Sequence, residues 1–229
     1  MFKINKTKAV LWDLDDTLYS RMEAARKTFF GMFGELLYPD ASDEYIARAV
    51  EYMMSRVRRN TMVHEDAFAE LLLEYPCAGD FNYSACLEYY YAHISEFAVP
   101  FSEPLTVIRK LRSIGVKTAI VTNTLPERVC AQRKKIRALG IEDLFDAIVI
   151  SGEFGIRKPD RRIFDHAASL LGISNRECVF VGDDPEADIQ GALNADMEAV
   201  WVDVWESKED FSDEPRVHKV NSVIDYFKL

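Results

Sequence analysis

The chain has 229 residues, a net charge of −10, 48% hydrophobic and 29% charged residues. That length fits one large domain or one domain carrying an inserted smaller one, and the composition excludes a disordered chain. The acidic balance argues against nucleic acid as the main partner, while leaving small phosphorylated substrates open because local charge governs a pocket.

Residues 8–12 (Lys-Ala-Val-Leu-Trp) predict a short buried strand ending at Asp13. From about 20 to 100 only helical periodicity appears. Met22, Ala25, Phe29, Met32, Phe33 and Leu36 form one apolar stripe, and Ile46, Ala49, Val50, Met53, Met54 and Val57 a second. Phe68, Leu71, Leu72 and Tyr75 suggest a third, and Leu87, Tyr90, Tyr91, Ile94 and Phe97 a fourth. Four amphipathic helices without an intervening strand read as a small helical unit.

After Pro100 the pattern alternates. Ser102 is expected to cap a helix running to Ile114, stopped by Gly115. Strands are expected at 116–122, 147–150, 178–181 and, last, 199–204, with helices at 126–139, 160–171 and 185–194 between them. Serial β-α-β-α implies a parallel sheet with helices on both faces. The expected architecture is an α/β Rossmann-like core, 1–19 plus 101–229, with a helical unit, 20–100, inserted after its first strand.

Nothing resembles a signal-peptide core, and no apolar run is long enough to span a membrane. Cys77, Cys86, Cys130 and Cys178 are scattered, without metal-ligand spacing, and fit reduced thiols. A cytoplasmic protein with no membrane partner is expected. Its oligomeric state is left open, and a monomer is compatible with the pattern.

In such sheets ligands bind beyond the carboxyl ends of the strands. The residues there carry the chemistry. Asp13 and Asp15 are two carboxylates two residues apart, either a site for a hard cation such as Mg²⁺ or an Asp-rich turn. Thr122-Asn123 offers a hydroxyl and backbone N–H groups for phosphoryl oxygens, or a helix start. Lys158 is a compact positive charge suited to phosphate or carboxylate, or a solvated lysine. Gly182-Asp183-Asp184-Pro185 offers another cation-binding carboxylate and, in Asp184, a helix cap before Pro. Asp188 lies one helical turn further on. The four groups occur in order, each just past a strand of one sheet, and that combination favours a site.

The order Asp13-Leu14-Asp15-Asp16-Thr17, Thr122-Asn123, Lys158-Pro159, Gly182-Asp183-Asp184 resembles the four motifs of the haloacid dehalogenase superfamily across nearly the whole chain, and the helical insertion resembles that family's type 1 cap. The resemblance implies that Asp13 is a nucleophile forming an aspartyl-phosphate and Asp15 a general acid and base. It implies that Thr122 and the Asn123 amide hold the phosphoryl group, and that Lys158 neutralises its charge. Asp13, Asp183 and the Asp15 carbonyl would hold Mg²⁺, with Asp188 and Asp184 in supporting positions. Asp15 favours phosphate esters over carbon–halogen bonds, since a halide needs no acid to leave. A small phosphorylated metabolite, of nucleotide or sugar phosphate type, is the expected substrate. The alternatives are a phosphomutase, a 2-haloacid dehalogenase or a non-catalytic binding protein on the same fold. Tyr19, Ser20, Arg21, Arg56, Arg58 and Arg59 are candidates to meet the substrate, although an arginine run and Tyr89–Tyr91 also suit a solvated face and helix packing respectively.

Overall fold

A computed structural model describes residues 6–57, 64–77 and 79–228. In chain order it begins with β1 (Ala9–Trp12), then α1 (Arg21–Met32), α2 (Asp43–Arg56), α3 (Glu65–Glu74) and α4 (Tyr83–His93). There follow α5 (Ser102–Ser113), β2 (Lys117–Thr122), α6 (Val129–Ala138), β3 (Ala147–Ile150), α7 (Ser151–Phe154) and α8 (Arg161–Leu171). The chain continues through β4 (Cys178–Gly182), α9 (Gly191–Asn194), β5 (Glu198–Val202), β6 (Val217–Val220) and α10 (Val223–Phe227). The residues form two compact units, Met1–Ser20 with Pro100–Leu229, and Arg21–Val99.

The first unit is an α/β fold. Its six strands form one sheet in the order β3-β2-β1-β4-β5-β6, every neighbouring pair parallel. The four residues of β1 are all buried, as an uninterrupted apolar run in the middle of a parallel sheet should be. Successive strands spread outward from β1 on one side and then, after β3, on the other, so the topology reverses beside β1.

Alternate residues face opposite layers. Ala9, Leu11, Ala119, Val121 and Phe180 join Ile163, Phe164, Ala167 and Leu171 of α8 in one core cluster. Toward the other layer, Trp12 stacks on Phe227 of α10 with ring centroids 5.9 Å apart, and α5 packs against β2 and α10. Each large side chain so buried contributes roughly 1.5–3 kcal/mol.

The second unit builds its own core from aromatics. Phe29 lies 5.7 Å from Phe33 and 5.6 Å from Tyr90, and Phe33 lies 6.3 Å from Phe68, centroid to centroid. Ser42 caps α2 by accepting from the Tyr45 N–H at 3.3 Å, and Asn82 caps α4 through the Ala85 N–H at 3.1 Å.

Four details depart from the sequence expectation. The sheet has a sixth strand, β6, whose Val-His-Lys-Val pairs on one side only and carries little apolar signal. Ser102 is the first residue of α5, not its cap; Phe101 holds that position. After α1 the backbone widens into a π-helical turn, Phe33–Leu37, which moves the buried stripe by one residue. Leu37 is therefore buried and Leu36 is 41% exposed. The helix expected over 185–194 likewise opens as a π-helical turn, Pro185–Gln190, and closes as α9.

Candidate active site

Strand register assembles the site. Trp12 aligns with Ile120 of β2 and with Val181 of β4, and the Asp13 N–H donates to the Val181 carbonyl at 2.9 Å. One or two residues further along, Asp13, Thr122 and Asp183 therefore emerge side by side at the carboxyl edge of three adjacent strands. Asp16 makes the turn back with a left-handed backbone, φ 61°, which Asp tolerates better than most residues.

Lys158 binds the pieces together. Its Nζ lies 2.6 Å from Asp13 Oδ1 and 2.6 Å from Asp188 Oδ1, and the residue is 3% exposed. Its own backbone is held by Asn123, whose Oδ1 accepts from the Lys158 N–H at 2.9 Å while Nδ2 donates to the Lys158 carbonyl at 3.1 Å. The Asn123 side chain thus places Lys158. The second oxygen of Asp188 accepts from the Asp184 N–H at 3.1 Å. Asp184 itself caps the following turn, accepting from the Glu186 and Ala187 N–H groups at 2.9 Å. Gly182 is required by this packing: a Cβ there would sit 2.3 Å from Asp188 Oδ2.

Carboxylate oxygens of Asp13, Asp183 and Asp188 lie within 4.8 Å of one another, and all three residues are buried. Burial pushes the Asp183 carboxyl up to about 9, and Asp188, Asp13 and Asp16 add to the rise. Burial likewise raises Asp13, to about 7, against the pull of Lys158. For Lys158 burial opposes the charge, but Asp13 and Asp188 together outweigh it and raise the ammonium. Three carboxyl groups face one ammonium in a desolvated pocket, so without a cation they cannot all ionise, and their protons are held more tightly than usual. Hard oxygen donors so crowded suit a divalent cation. Two tryptophans orient Asp183: the Trp205 indole N–H donates to its Oδ2 at 2.8 Å, and Trp201 to its carbonyl at 3.1 Å.

Asp15 faces a different set of groups, two of them on α6. Lys135 Nζ lies 2.7 Å from its Oδ1, Gln132 Nε2 donates to its Oδ2 at 3.0 Å, and the Tyr19 hydroxyl also donates to it. Gln132 further donates to Thr122 Oγ1 at 2.8 Å. The carboxylate group with metal-ligand proximity thus contains Asp188 rather than the side chain of Asp15.

The structure brings Asp13, Asp15, Thr122, Asn123, Lys158, Asp183, Asp184 and Asp188 to one edge. Tyr19, another sequence candidate, is a donor to Asp15, Ser20 follows it in the first unit, and the candidates from Arg21 onward belong to the helical unit. Arg56 pairs with Glu70 at 3.0 Å and lies over the Tyr52 ring, half exposed. Arg58 and Arg59 lie outside the described residues. Tyr90 is buried in the helical unit, packed against Phe29. Gln132, Lys135 and Trp205 carried no sequence signal as site residues. Gln132-Arg133-Lys134-Lys135 reads as a solvated basic face, and only the three-residue spacing of Gln132 and Lys135 on one helix face hints at joint use.

A parallel sheet with an acidic, lysine-bridged carboxyl edge is a site built for a cation and an anionic substrate. Residues 7–196 match the model of the haloacid dehalogenase-like hydrolase family, and the chain belongs to that family. It is 35% identical over 201 residues to glyceraldehyde 3-phosphate phosphatase of Methanopyrus kandleri, covering 85% of this chain and 83% of that protein. It is 31% identical over 212 residues to N-acylneuraminate-9-phosphatase of Mus musculus, covering 87% and 84%. The fold is similar to that of the magnesium-bound HAD-hydrolase YfnB from Bacillus subtilis, with TM-score 0.75, 19% identity and coverage of 97% and 98%. Among the described residues no helix is long and apolar enough to cross a membrane.

Proposed function

We propose that the chain is a Mg²⁺-dependent phosphohydrolase that cleaves small phosphomonoesters through a phosphoryl group carried on Asp13. The observation that carries this reading is the placement of Asp13. Its carboxylate is held at 2.6 Å by buried Lys158, beside Asp183 and Thr122, on the central strand of the sheet. The relatives named as phosphatases of small phosphorylated compounds, matched over 83% and 84% of their own length, support it.

The chemistry follows from the groups present. An oxygen of Asp13 attacks phosphorus, and the bond from phosphorus to the ester oxygen breaks. Asp15, entering the step as the neutral acid, donates its proton to that departing oxygen, then as carboxylate takes one from the water that attacks the aspartyl-phosphate, releasing inorganic phosphate and restoring both Asp13 and the Asp15 acid. The Thr122 hydroxyl and the Asn123 backbone N–H hold phosphoryl oxygens, and Lys158 offsets the charge shared between them and Asp13. Asp13, Asp183 and the Asp15 carbonyl would hold Mg²⁺, which when bound spreads charge on the transferring group. Asp188 keeps Lys158 in place, and Asp184 anchors the turn that carries Asp188. The helical unit Arg21–Val99 is proposed as the cap that selects the leaving group.

Release of p-nitrophenol from its phosphate ester, with Mg²⁺ and with chelator, tests the reading, and a panel of phosphorylated metabolites then finds the substrate. Glyceraldehyde 3-phosphate and N-acylneuraminate 9-phosphate, named by the relatives, belong on that panel. Turnover that needs Mg²⁺, yields inorganic phosphate and disappears in Asp13→Asn is the expected result. Isomerised sugar phosphate without free phosphate would indicate a mutase, halide release from a 2-haloacid a dehalogenase, and no turnover at any metal concentration a binding protein.

A further inference from the structure

Asp13 and Asp15 of the first motif are each paired with a different lysine. Lys158 takes Asp13, and Lys135 takes Asp15. The second pairing is the unusual one. The Lys135 side chain is only 9% exposed, on a helix otherwise rich in basic residues, where a lysine normally carries its ammonium out to water. Burying such a pair adds little net stability, because desolvation cancels most of the attraction. Net stability therefore does not account for the pair.

The hydrogen bonds show what the pair constrains. Lys135 Nζ donates to Gln132 Oε1 at 3.0 Å as well as to Asp15. That fixes the orientation of the Gln132 amide, since the reverse orientation would set its NH₂ against the ammonium. With the amide so oriented, its two N–H groups go to Asp15 Oδ2 at 3.0 Å and Thr122 Oγ1 at 2.8 Å. Gln132 is 5% exposed and Thr122 is 1% exposed, so water does not compete for these bonds. Because the Thr122 oxygen accepts from Gln132, its one hydroxyl hydrogen remains to donate to a phosphoryl oxygen. The Lys135 ammonium also lies 5.4 Å from the centre of the Tyr19 ring, whose hydroxyl donates to Asp15.

We propose that Gln132 and Lys135 are positioning residues that lock the Asp15 carboxylate and the Thr122 hydroxyl into one geometry, so that the group serving the leaving oxygen and the group holding the phosphoryl stay in register. The inference rests on Asp15 being the general acid of the proposed phosphohydrolase. Neither residue reacts. Both act through Asp15 and Thr122.

Leaving-group dependence distinguishes this role from a structural one. p-Nitrophenol departs as a stable anion, whereas phenol, about as basic as tyrosine, needs a proton. In the intact, Mg²⁺-loaded protein, Gln132→Met and Lys135→Met are compared with Asp15→Asn, using phenyl phosphate and p-nitrophenyl phosphate and checking the fold by thermal melting. The expected result in Lys135→Met is a fall in kcat/KM of about 30-fold for phenyl phosphate and less than about threefold for p-nitrophenyl phosphate, with a larger split in Asp15→Asn; Gln132→Met should lose rate with both esters, through Thr122, but about 10-fold more with phenyl phosphate. Inhibition by inorganic phosphate should weaken in Gln132→Met, through Thr122, more than in Lys135→Met. Equal losses for the two esters, or no loss in either Met variant while Asp15→Asn shows the expected split, would overturn the positioning role alone. If Asp15→Asn itself hydrolyses phenyl phosphate normally, the general-acid reading fails and the inference falls with it. If Lys135→Met does not fold, the isosteric Gln132→Met decides by the same criteria.

Discussion

Asp183→Asn should make the metal-free protein more stable while abolishing its response to Mg²⁺. The carboxyl of Asp183 is 4% exposed, with Asp13 and Asp188 beside it, and its pKa is raised to about 9. An unfolded Asp ionises near 3.9. The folded state therefore binds this proton more tightly than the unfolded state. Stability from this group is full below pH ~4, falls by about 1.4 kcal/mol per unit as pH rises, and reaches its minimum above about 9. At pH 7.5 this group therefore costs stability, on the order of a few kcal/mol, of which a variant will recover a part because the Asn amide is also desolvated. Asn keeps the shape and an oxygen for the Trp205 indole. A gain of about 2–3 kcal/mol corresponds to a rise in Tm of roughly 5–10 °C for a chain of this size. Calorimetry in chelator at pH 7.5 and pH 5 should show that rise at the higher pH and a smaller one at the lower. Adding Mg²⁺ should raise the Tm of the wild type and leave the variant unmoved. A lower Tm for the variant in chelator, or an intact Mg²⁺ response, would refute the account of crowded buried carboxyl groups relieved by a cation.

Gly182→Ala should cut kcat by about 100-fold, because the new Cβ would meet Asp188 Oδ2 at 2.3 Å and shift the carboxylate that holds Lys158. Steady-state kinetics with p-nitrophenyl phosphate checks it, and near-normal activity would show that Asp188 moves freely. Trp205→Phe removes a donor to Asp183 and should weaken Mg²⁺ binding about 10–100-fold, together with any Mg²⁺-dependent change in tryptophan fluorescence, as titrated by calorimetry and emission spectra. Phe68→Ala leaves a hole among Phe33, Phe81 and Tyr83 and should cost about 3–5 kcal/mol, read by urea denaturation, without altering residues of the first unit.

Much of the fold was legible because parallel strands and amphipathic helices leave different periods in the sequence. The run Ala9–Trp12 could be read as a central strand since it is apolar at every position, and all four residues are buried. β6 could not, because an edge strand with His218 and Lys219 has no such run and exists through its pairing with β5. The exchange of Leu36 for Leu37 was likewise invisible, since a π-helical turn changes phase without changing composition.

The residues proposed for chemistry show the same division. Asp13, Thr122, Lys158 and Asp183 could be named from sequence because each lies at or beyond the carboxyl end of a strand of one parallel sheet, and such positions converge whatever the details of packing. That Asn123 holds the Lys158 backbone, that Asp188 shares the Lys158 ammonium, and that Gln132 and Lys135 seize Asp15 depend on side-chain directions across elements 30 to 120 residues apart in the chain. The sequence by itself determined the order of the first five strands and of the longer helices, and the residues at those strand ends, since these follow from local periodicity. Only the tertiary structure decided which carboxylate faces which lysine, since hydrogen-bond distance between residues far apart in sequence is set by how α6 and the turn after β4 pack onto the sheet.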